Sequence, residues 1–339
     1  MKILITGGTG YIGAHTVVEL QQSGHDVLII DNLSNSYPEV VLSIQKITGK
    51  MPVFEKVELC DSAQVDDFFN RHPGIDGVIH FAALKAVGES TKLPLRYYQN
   101  NLFSLINLLK SMNKHQVNTL IFSSSCTVYG QPEKLPVDEN SPLQPPMSPY
   151  GDTKQIAERI ITEQSKVSGL KSILLRYFNP VGAHPSALIG ELPIGVPNNL
   201  VPFITQTAAG KRDCLNVFGN DYDTPDGTCI RDYIYVVDLA KAHVTALNRI
   251  LEGKNASNCE VFNLGTGNGF SVLEVIHSFE QVSGKKLNYR FAPRREGDIT
   301  SIWSDCALAN NVLGWKAEKN LDEMMLSAWN WEKQLGKNN

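Results

Sequence analysis

The residues Lys2-Ile3-Leu4-Ile5-Thr6-Gly7-Gly8-Thr9-Gly10-Tyr11-Ile12-Gly13 join a short apolar run to a glycine-rich turn and then to an amphipathic stretch. The apolar run predicts a buried strand, and Gly7, Gly10 and Gly13 form a GxxGxxG pattern at the start of the first helix. Glycine suits this loop because the turn is tight and the backbone must approach a pyrophosphate at the helix N-terminus. Loops also collect glycine merely to permit positive φ, so the pattern alone is weak evidence for a dinucleotide site.

Asp31 strengthens the interpretation of the glycine loop. It ends the second predicted strand, 18 residues after Gly13, where a carboxylate can accept hydrogen bonds from the adenosine ribose hydroxyls. The same carboxylate would repel a 2′-phosphate, so the sequence favours NAD over NADP. An aspartate that only caps a turn at Asp31-Asn32 would explain the residue but not its distance from the glycines.

The first half of the chain alternates short β-type runs with longer amphipathic stretches. The predicted strands are Lys2–Thr6, Asp26–Asp31, Gly77–Phe81, Thr119–Ser123 and Ser172–Arg176. The predicted helices are Gly13–Ser23, Ala63–Arg71, Tyr97–His115 and Tyr150–Ser168. This alternation predicts an α/β fold of the Rossmann type, with a doubly wound parallel sheet.

Beyond about Asn179 the pattern changes to loops that are punctuated by proline and glycine, with a few helices. We therefore expect an NAD-binding Rossmann domain over residues 1–178 and a smaller, loop-rich substrate lobe over residues 179–339. Some segments of the second part are expected to return to the sheet of the first.

The composition is that of a soluble globular protein. The 339 residues are 42% hydrophobic and 19% charged, which allows a large core. A net charge of −4 without a dense Lys/Arg run argues against a nucleic-acid partner. The six cysteines form no CxxC pair, so we expect neither a disulfide framework nor a metal site. Since no signal core or membrane-length apolar stretch is evident, we expect a cytoplasmic protein with no membrane partner.

Tyr150 and Lys154 form a YxxxK pair, the only one among the eleven tyrosines, and this spacing puts both side chains on one helical face. A nearby ammonium can lower the pKa of a phenol from about 10 toward neutrality, where it can exchange a proton with a sugar hydroxyl. Ser125 follows the strand Thr119–Ser123 at the carboxyl edge of the sheet, where α/β proteins bind ligands. These three residues are the candidate catalytic set, although the pair alone would also suit a solvated helical face.

Five longer segments carry a family resemblance. They are Thr6–Gly13, His80–Ser90, Ser123–Gly130, Arg176–Ala183 and Arg294–Asp298, within a match that runs from Met1 to about Trp331. Together they resemble the UDP-glucose 4-epimerases, a family of the extended short-chain dehydrogenase/reductase superfamily (NAD-dependent epimerases and dehydratases). In this family a tightly held NAD takes hydride from C4 of the hexose, the 4-keto sugar turns over, and hydride returns to the opposite face. The resemblance therefore implies an isomerase of galactose metabolism that interconverts UDP-galactose and UDP-glucose.

The resemblance also implies roles for individual residues. Tyr150 is the implied general base, Ser125 its hydroxyl partner, and Lys154 the tuning cation, which also touches the nicotinamide ribose. The implied cofactor-binding residues are Gly7, Gly10, Tyr11, Ile12, Gly13, Asp31, Asn32, Leu33, Ser34, Asn35, Ser36, Glu58, Leu59, Phe81, Ala82, Ala83, Leu84, Lys85, Asn100, Ser125, Tyr150, Lys154 and Phe178. Family members usually present an aspartate to the adenine where the third strand ends, whereas here Glu58 stands at that position, with Asp61 nearby.

On the substrate side the resemblance implies a nucleotide-sugar pocket. Its implied residues are Lys85, Ser125, Tyr150, Asn179, Asn199, Leu200, Phe218, Arg231, Arg295, Asp298 and Ile302. Arginine suits a diphosphate because its fork donates two parallel hydrogen bonds, although Arg231 and Arg295 could instead form ordinary pairs with Asp232 and Glu296. Ile302 stands where family members restricted to simple hexoses often carry tyrosine and more permissive ones a smaller residue. A UDP-N-acetylglucosamine 4-epimerase or a dual-specificity enzyme is therefore the alternative.

Two other classes of protein share this fold. Nucleotide-sugar dehydratases typically add an acid pair after the strand-end hydroxyl, whereas Ser125 is followed by Cys126-Thr127. A non-catalytic NAD-sensing protein would need neither Tyr150 nor Lys154, because binding alone requires no proton acceptor. Both comparisons favour an epimerase.

The oligomeric state is also implied by the resemblance. The predicted helices Tyr97–His115 and Tyr150–Ser168 resemble those that pair across the twofold axis in the family. We therefore expect a homodimer with a four-helix interface.

Overall fold

The structure, a computed structural model, describes residues 1–295 and 298–337. Its helices are α1 (Tyr11–Gln22), α2 (Val40–Thr48), α3 (Ser62–Arg71), α4 (Val87–Lys92), α5 (Pro94–Lys114), α6 (Pro149–Val167), α7 (Leu200–Ala208), α8 (Val236–Leu251), α9 (Val272–Ser283) and α10 (Leu321–Leu335). Its strands are β1 (Lys2–Thr6), β2 (Asp26–Asp31), β3 (Val53–Lys56), β4 (Gly77–His80), β5 (Thr119–Ser123), β6 (Lys171–Tyr177), β7 (Asn179–Val181), β8 (Leu215–Phe218), β9 (Ile230–Tyr235), β10 (Cys259–Leu264), β11 (Gly269–Ser271), β12 (Tyr289–Ala292) and β13 (Ser301–Ile302). Short helical turns also form at Cys126–Tyr129 and Ala309–Leu313.

Seven parallel strands form the central sheet in the order β10-β6-β5-β4-β1-β2-β3. From β1 the chain runs outward through β2 and β3, and then crosses to β4 on the other side of β1. This change of direction leaves a crevice at the carboxyl ends of β1 and β4, where doubly wound sheets bind ligands. The predicted Rossmann-type α/β fold is confirmed.

Both faces of this sheet are covered, which explains why its strands are continuous apolar runs. Ile3 and Ile5 point to one face, into a core that they share with Leu239 of α8. Leu4 points to the other face, into a core that it shares with Leu105 of α5 and Ile161 of α6. The site at the sheet edge therefore rests on a rigid, well-packed support.

The predicted elements match the observed ones closely in the first half of the chain. β1, β2 and β5 have the predicted bounds, β4 ends one residue earlier at His80, and β6 is one residue longer at each end. The four predicted helices are present as α1, α3, α5 and α6, with ends shifted by at most three residues. One segment of the second half, β10, pairs with β6 and completes the sheet. The domain boundary near residue 178 stays a prediction.

The second half of the chain builds a smaller sheet around β9. β11, β13 and β7 each pair with it. Helices α7, α9 and α10 pack beside this sheet through a separate core that includes Ile204, Phe279, Met324 and Trp329. The small sheet brings chain segments together that are more than a hundred residues apart in sequence.

Three histidines, His15, His80 and His243, are almost fully buried against the central sheet, with at most 2% of their surface exposed. Burial lowers the pKa of His15 and His80 to about 3 and that of His243 to about 4. All three are therefore uncharged near neutral pH.

All six cysteines lie within the described ranges and are free. Among the helices of residues 1–295 and 298–337, none is long and apolar enough to cross a membrane.

Candidate active site

A cleft of about 710 Å³ opens at the carboxyl ends of the central strands. Its volume lies within the roughly 300–1,000 Å³ that is typical of small-molecule and cofactor sites. The predicted cofactor residues that line it are Gly7, Gly10, Tyr11, Ile12, Gly13, Asp31, Asn32, Ser34, Asn35, Ser36, Glu58, Leu59, Phe81, Ala82, Ala83, Leu84, Lys85, Asn100, Tyr150 and Lys154. The structure thus brings most of the predicted cofactor set into one cleft.

The glycine loop forms the part of the cleft where β1 turns into α1. Gly7 has a φ of +71°, and a Cβ atom there would lie 2.8 Å from the backbone nitrogen of Ala82. A Cβ atom on Gly13 would lie only 2.2 Å from the carbonyl oxygen of Gly7. Helix α1 begins after Gly10 without a side-chain cap, so its first backbone amides point into the cleft unpaired by a cap. These features fit the pyrophosphate of a dinucleotide.

Asp31 lies at the end of β2 on the wall of the cleft. Its carboxylate accepts hydrogen bonds from the backbone N–H groups of Thr9 (3.3 Å) and Leu33 (2.9 Å) and from the Ser36 hydroxyl (3.2 Å). These bonds fix the carboxylate beside the glycine loop. Its position fits the predicted contact with the adenosine ribose.

The sequence offers two residues, Glu58 and Asp61, for the acidic contact to the adenine. Glu58 lines the cleft and accepts a hydrogen bond from Asn32 Nδ2 at 2.9 Å. Asp61 instead caps α3 by accepting from the backbone N–H groups of Ala63 and Gln64. Glu58 is therefore the better placed of the two.

Tyr150 and Lys154 lie in the first turns of α6, which begins at a Ser148 cap and Pro149. Both side chains are buried at the edge of the cleft, with 7% and 5% of their surface exposed. The Ser125 hydroxyl lies near the Tyr150 phenol and acts to lower its pKa, although Ser125 does not itself line the cleft. The Ser125 oxygen accepts hydrogen bonds from the backbone N–H (3.2 Å) and the hydroxyl (3.0 Å) of Thr127. Lys154 Nζ donates to the Ser123 carbonyl at 2.7 Å and lies 5.9 Å from the Tyr150 ring centroid. The three predicted catalytic residues therefore form one cluster.

The pKa of Tyr150 differs in direction from what the YxxxK spacing predicted. Burial raises the pKa of the phenol above its usual value, and the nearby Ser125 hydroxyl opposes this only in part. Burial also lowers the pKa of Lys154 to about 8, against the attraction of Glu158. In the chain by itself, desolvation therefore outweighs the tuning effect that the sequence predicts for Lys154.

The small sheet brings the predicted substrate residues together. Asn179 begins β7, Arg231 lies on β9, and Ile302 lies on β13 opposite Arg231. Arg231 lies 3.9 Å from the carboxylate of Asp298, and Arg295 pairs with the same carboxylate at 2.7 Å. The structure does not show the alternative ion pair between Arg231 and Asp232.

Asp232 bonds elsewhere, because its carboxylate accepts from Thr266, Gly267 and Ser304. The guanidinium of Arg295 also lies 5.7 Å from the Phe218 ring centroid. Glu296 and Gly297, which belong to the motif quoted above, lie outside the described residues.

Some predicted residues occupy supporting positions. Leu33, two residues after Asp31, has a positive φ of 61°, and Leu200 begins α7 directly after Asn199. Phe178 and Ile302 are both buried and pack in one small apolar cluster. Neither belongs to the residues that line the 710 Å³ cleft. An effect of Ile302 on the sugar pocket would therefore have to pass through its packing.

Glu191 is a cleft residue that the sequence did not indicate. Its carboxylate contacts Lys85 Nζ at 3.2 Å and accepts from Asn199 Nδ2 at 2.6 Å. Its carbonyl accepts from the indole N–H of Trp331 at 3.1 Å. The residue lies in a loop rich in proline and glycine, where no periodic pattern marks a functional side chain. The Glu191 carboxylate therefore links Lys85 and Asn199, two of the predicted substrate residues.

Comparisons with known proteins agree with this arrangement. Residues 4–327 match a protein-family model described as GDP-mannose 4,6 dehydratase. A UDP-glucose 4-epimerase of Bacillus subtilis (strain 168) is 51% identical over 333 residues, which cover 98% of this chain and 97% of that protein. A crystal structure of UDP-glucose 4-epimerase from Bifidobacterium longum in complex with NAD+ and UDP is 45% identical, with a TM-score of 0.96 and full coverage of both chains. The enzyme from Stenotrophomonas maltophila, with bound NAD and formylated UDP-arabinopyranose, is 47% identical, again with a TM-score of 0.96 and full coverage of both chains.

Proposed function

The chain belongs to the UDP-glucose 4-epimerase family and is an NAD-dependent isomerase, and we propose that Tyr150, Ser125 and Lys154 carry the proton transfer by which it interconverts UDP-galactose and UDP-glucose. The observation that carries the proposal is that Tyr150 and Lys154 lie together at the edge of the cleft, with the Ser125 hydroxyl near the Tyr150 phenol. A phenol in this position can exchange a proton with a substrate hydroxyl through a shared hydrogen bond.

The chain's own residues account for binding of the cofactor. When bound, NAD supplies a reversible hydride acceptor for C4 of the hexose and a positively charged ring. The backbone around Gly7 and Gly13 leaves room for a pyrophosphate, and the start of α1 offers amide donors to it. Asp31 and Glu58 offer carboxylates for the adenosine end. This arrangement would hold the cofactor along the edge of the sheet.

The proton step requires a base at the sugar oxygen. When C4 is oxidised, its hydroxyl loses a proton to the Tyr150 phenolate, and the same proton returns when the 4-keto sugar is reduced on its other face. Because burial raises the pKa of Tyr150, the phenolate form depends on nearby hydrogen bonds and positive charge. The nearby Ser125 hydroxyl can supply a hydrogen bond, and Lys154, on the same face of α6 as Tyr150, supplies the chain's own cation.

The dehydratase alternative finds less support at this cluster. Elimination of water requires an added acid, and the positions after Ser125 hold Cys126 and Thr127. Burial raises the pKa of the Cys126 thiol to about 12, so this group stays protonated near neutral pH and is a poor acid or nucleophile. Reversible oxidation and reduction without elimination is the reaction that these residues can support.

The proposed function is tested by a coupled assay for UDP-glucose formation from UDP-galactose, with the cofactor released by denaturation and identified. The Tyr150→Phe variant should lose at least about a hundredfold in kcat, the low end for removal of a general acid–base group, and should still hold NAD. Tyr289→Phe is a matched control, because this tyrosine lies on β12 outside the cleft. Near-normal turnover by Tyr150→Phe would exclude Tyr150 from the mechanism.

We also propose that the enzyme is a homodimer that pairs through α5 and α6. These two helices pack against each other and expose large apolar side chains, with Leu95 81%, Phe103 52% and Val167 83% exposed. A second copy with the same two helices would cover this surface and form a four-helix interface.

Light scattering should give twice the chain mass of 37.5 kDa. Phe103→Asp should shift the protein toward the monomer, because the interface would have to bury an unpaired carboxylate. Phe291→Asp is the control, since this phenylalanine is similarly exposed (47%) but lies on β12. A monomeric parent protein would refute the proposed dimer.

We further propose a cytoplasmic location. The six free cysteines support it, because reducing compartments keep thiols unpaired. Recovery of the activity in a secreted fraction rather than the cytosolic fraction of the cell would contradict it.

A further inference from the structure

Glu158 is a buried carboxylate one helical turn after Lys154, on the same face of α6. Only 4% of its surface is exposed. Its Oε1 accepts from the Ser124 hydroxyl at 2.5 Å and from Arg176 Nε at 3.0 Å, and its Oε2 accepts from Arg176 Nη2 at 2.7 Å. Both oxygens are therefore held in place by hydrogen bonds.

Two side chains of α6, one turn apart, hold two consecutive residues at the end of β5. Lys154 Nζ donates to the carbonyl of Ser123, and Glu158 accepts from the hydroxyl of Ser124. The next residue along the chain is Ser125, whose hydroxyl lies near the Tyr150 phenol. The distance between the serine and the tyrosine thus depends on how firmly this strand end is held against α6.

The ion pair between Glu158 and Arg176 belongs to a larger buried network. Arg176 Nη1 donates to the Tyr129 hydroxyl at 3.1 Å, which in turn donates to Asn263 Oδ1 at 2.6 Å. Satisfied networks of this kind fix side-chain positions. A buried ion pair, however, often contributes no more stability than well-packed apolar side chains of similar volume. Its presence directly behind the catalytic cluster therefore calls for another explanation.

The charge of Glu158 is also placed to act on Lys154. The titratable groups that face Lys154 are Glu158 and Tyr150 on its own helix and His80 on β4. Around them, Arg176 of β6 pairs with Glu158, and Tyr177, Cys126 and Tyr97 act on Tyr150. His80 is uncharged near neutral pH, because burial lowers its pKa to about 3. Within this set, Glu158 is the carboxylate, and its charge opposes the fall in the pKa of Lys154 that burial causes.

We propose that Glu158 is a positioning residue for the epimerase reaction, which holds the strand end that carries Ser125 and sets a negative charge one turn from Lys154. The inference rests on the proposed roles of Ser125, Tyr150 and Lys154. Glu158 itself acts through these residues and does not line the cleft.

Three variants separate the two parts of this role. Glu158→Gln keeps the shape of the side chain but removes its charge. The double variant Glu158→Gln/Arg176→Gln also removes the guanidinium, which would otherwise be left buried without its partner. Ser124→Ala removes the hydroxyl that Glu158 holds and leaves the ion pair intact.

Each variant has a distinct expected result in kcat as a function of pH. Activity that needs protonated Lys154 is present below the pKa of this group, about 8, and is lost above it. This fall of kcat at high pH is the alkaline limb of the pH profile. Loss of the neighbouring carboxylate disfavours the ammonium, so the alkaline limb should move to lower pH in Glu158→Gln, and to a smaller extent in the double variant. Ser124→Ala should lower kcat several-fold without moving the limb. In all three, bound NAD and the KM for UDP-galactose should stay within about twofold of the parent.

A second, partly buried ion pair provides the control. Arg249 and Glu260 are also joined by two hydrogen bonds, at 2.8 and 2.9 Å, but they lie on α8 and β10. Arg249→Gln/Glu260→Gln should lower the melting temperature without moving the alkaline limb.

The proposal is overturned if Glu158→Gln/Arg176→Gln keeps the kcat and the alkaline limb of the parent, or if the Arg249/Glu260 control moves the limb as far. Failure of the proposed function would be recognised separately, by normal turnover of Tyr150→Phe. A purely structural role for Glu158 would lower the melting temperature and leave the limb in place, and this outcome also counts against the proposal.

Discussion

Substitution of Gly13 by alanine should disable the phosphate loop. The added Cβ atom would lie 2.2 Å from the carbonyl oxygen of Gly7 and 2.9 Å from Gly8 Cα, whereas ordinary contacts begin near 3.4 Å. The two backbone segments would therefore have to separate by about 1.2 Å at the first contact. No rotation of a side chain can relieve the clash, because both neighbouring atoms belong to the backbone.

The free-energy cost of separating the two backbone segments can be estimated from the general cost of overpacking. Forcing extra volume into a packed site costs about 1–3 kcal/mol. If the loop relaxes in the free protein and must close again on the cofactor, this cost weakens NAD binding by roughly 5- to 150-fold. If the loop cannot relax, the same cost appears as lower stability of the folded protein.

The measurement is the NAD content of the purified Gly13→Ala variant, together with its melting temperature with and without added NAD. Gly88→Ala is the matched control, because a Cβ atom there has no neighbour within 4 Å and the residue lies in helix α4. The control should keep its NAD and its stability. If Gly13→Ala has the NAD content and melting temperature of the parent, the steric argument is wrong.

Three further predictions concern pH, the sugar and the loop around Glu191. Burial lowers the pKa values of His15, His80 and His243, so below about pH 6.5 the unfolded chain binds protons at these residues and the folded chain does not. The folded state should therefore lose stability as the pH falls from about 6.5 toward 4, and the urea midpoint should be lower at pH 5 than at pH 7. An unchanged midpoint would contradict this. We expect some turnover of UDP-N-acetylglucosamine, since Ile302 is smaller than the tyrosine that family members restricted to simple hexoses often carry. An enzyme that converts UDP-galactose but not the acetylated sugar would contradict this expectation. Glu191→Gln should raise the KM for UDP-galactose about three- to tenfold, because it loses the carboxylate that contacts both Lys85 and Asn199. The NAD content should stay unchanged, and an unaltered KM would show that Glu191 does not belong to the substrate site.

The parts of the fold that could be predicted are those whose physical cause is local. β1, β2 and β5 are buried on both faces and therefore form unbroken apolar runs. The glycine loop was recognisable because steric limits on its backbone leave few alternatives to glycine. β3 was not delimited, since its four residues are half-exposed and show no clear alternation.

The parts of the site that could not be predicted depend on contacts between distant segments. Glu191 reaches Lys85 across 106 positions of the sequence, and no spacing rule connects them. The direction of the pKa shift of Tyr150 also depends on burial by the folded chain, whereas the YxxxK spacing reports only that Lys154 is near. The choice between Glu58 and Asp61 likewise required the helix cap at Asp61 to be seen.

The pairing of β10 with β6 has a consequence for how the protein is made. A ribosome adds about 5–20 residues per second, so roughly 90 residues must follow Tyr177 before Leu264 is synthesised, which takes about 4–18 s. During this interval the outer edge of β6 lacks its partner and can pair with the edges of other nascent chains. The last strand of the sheet therefore sets a period of exposure in which newly made molecules depend on low concentration or on chaperones to avoid aggregation.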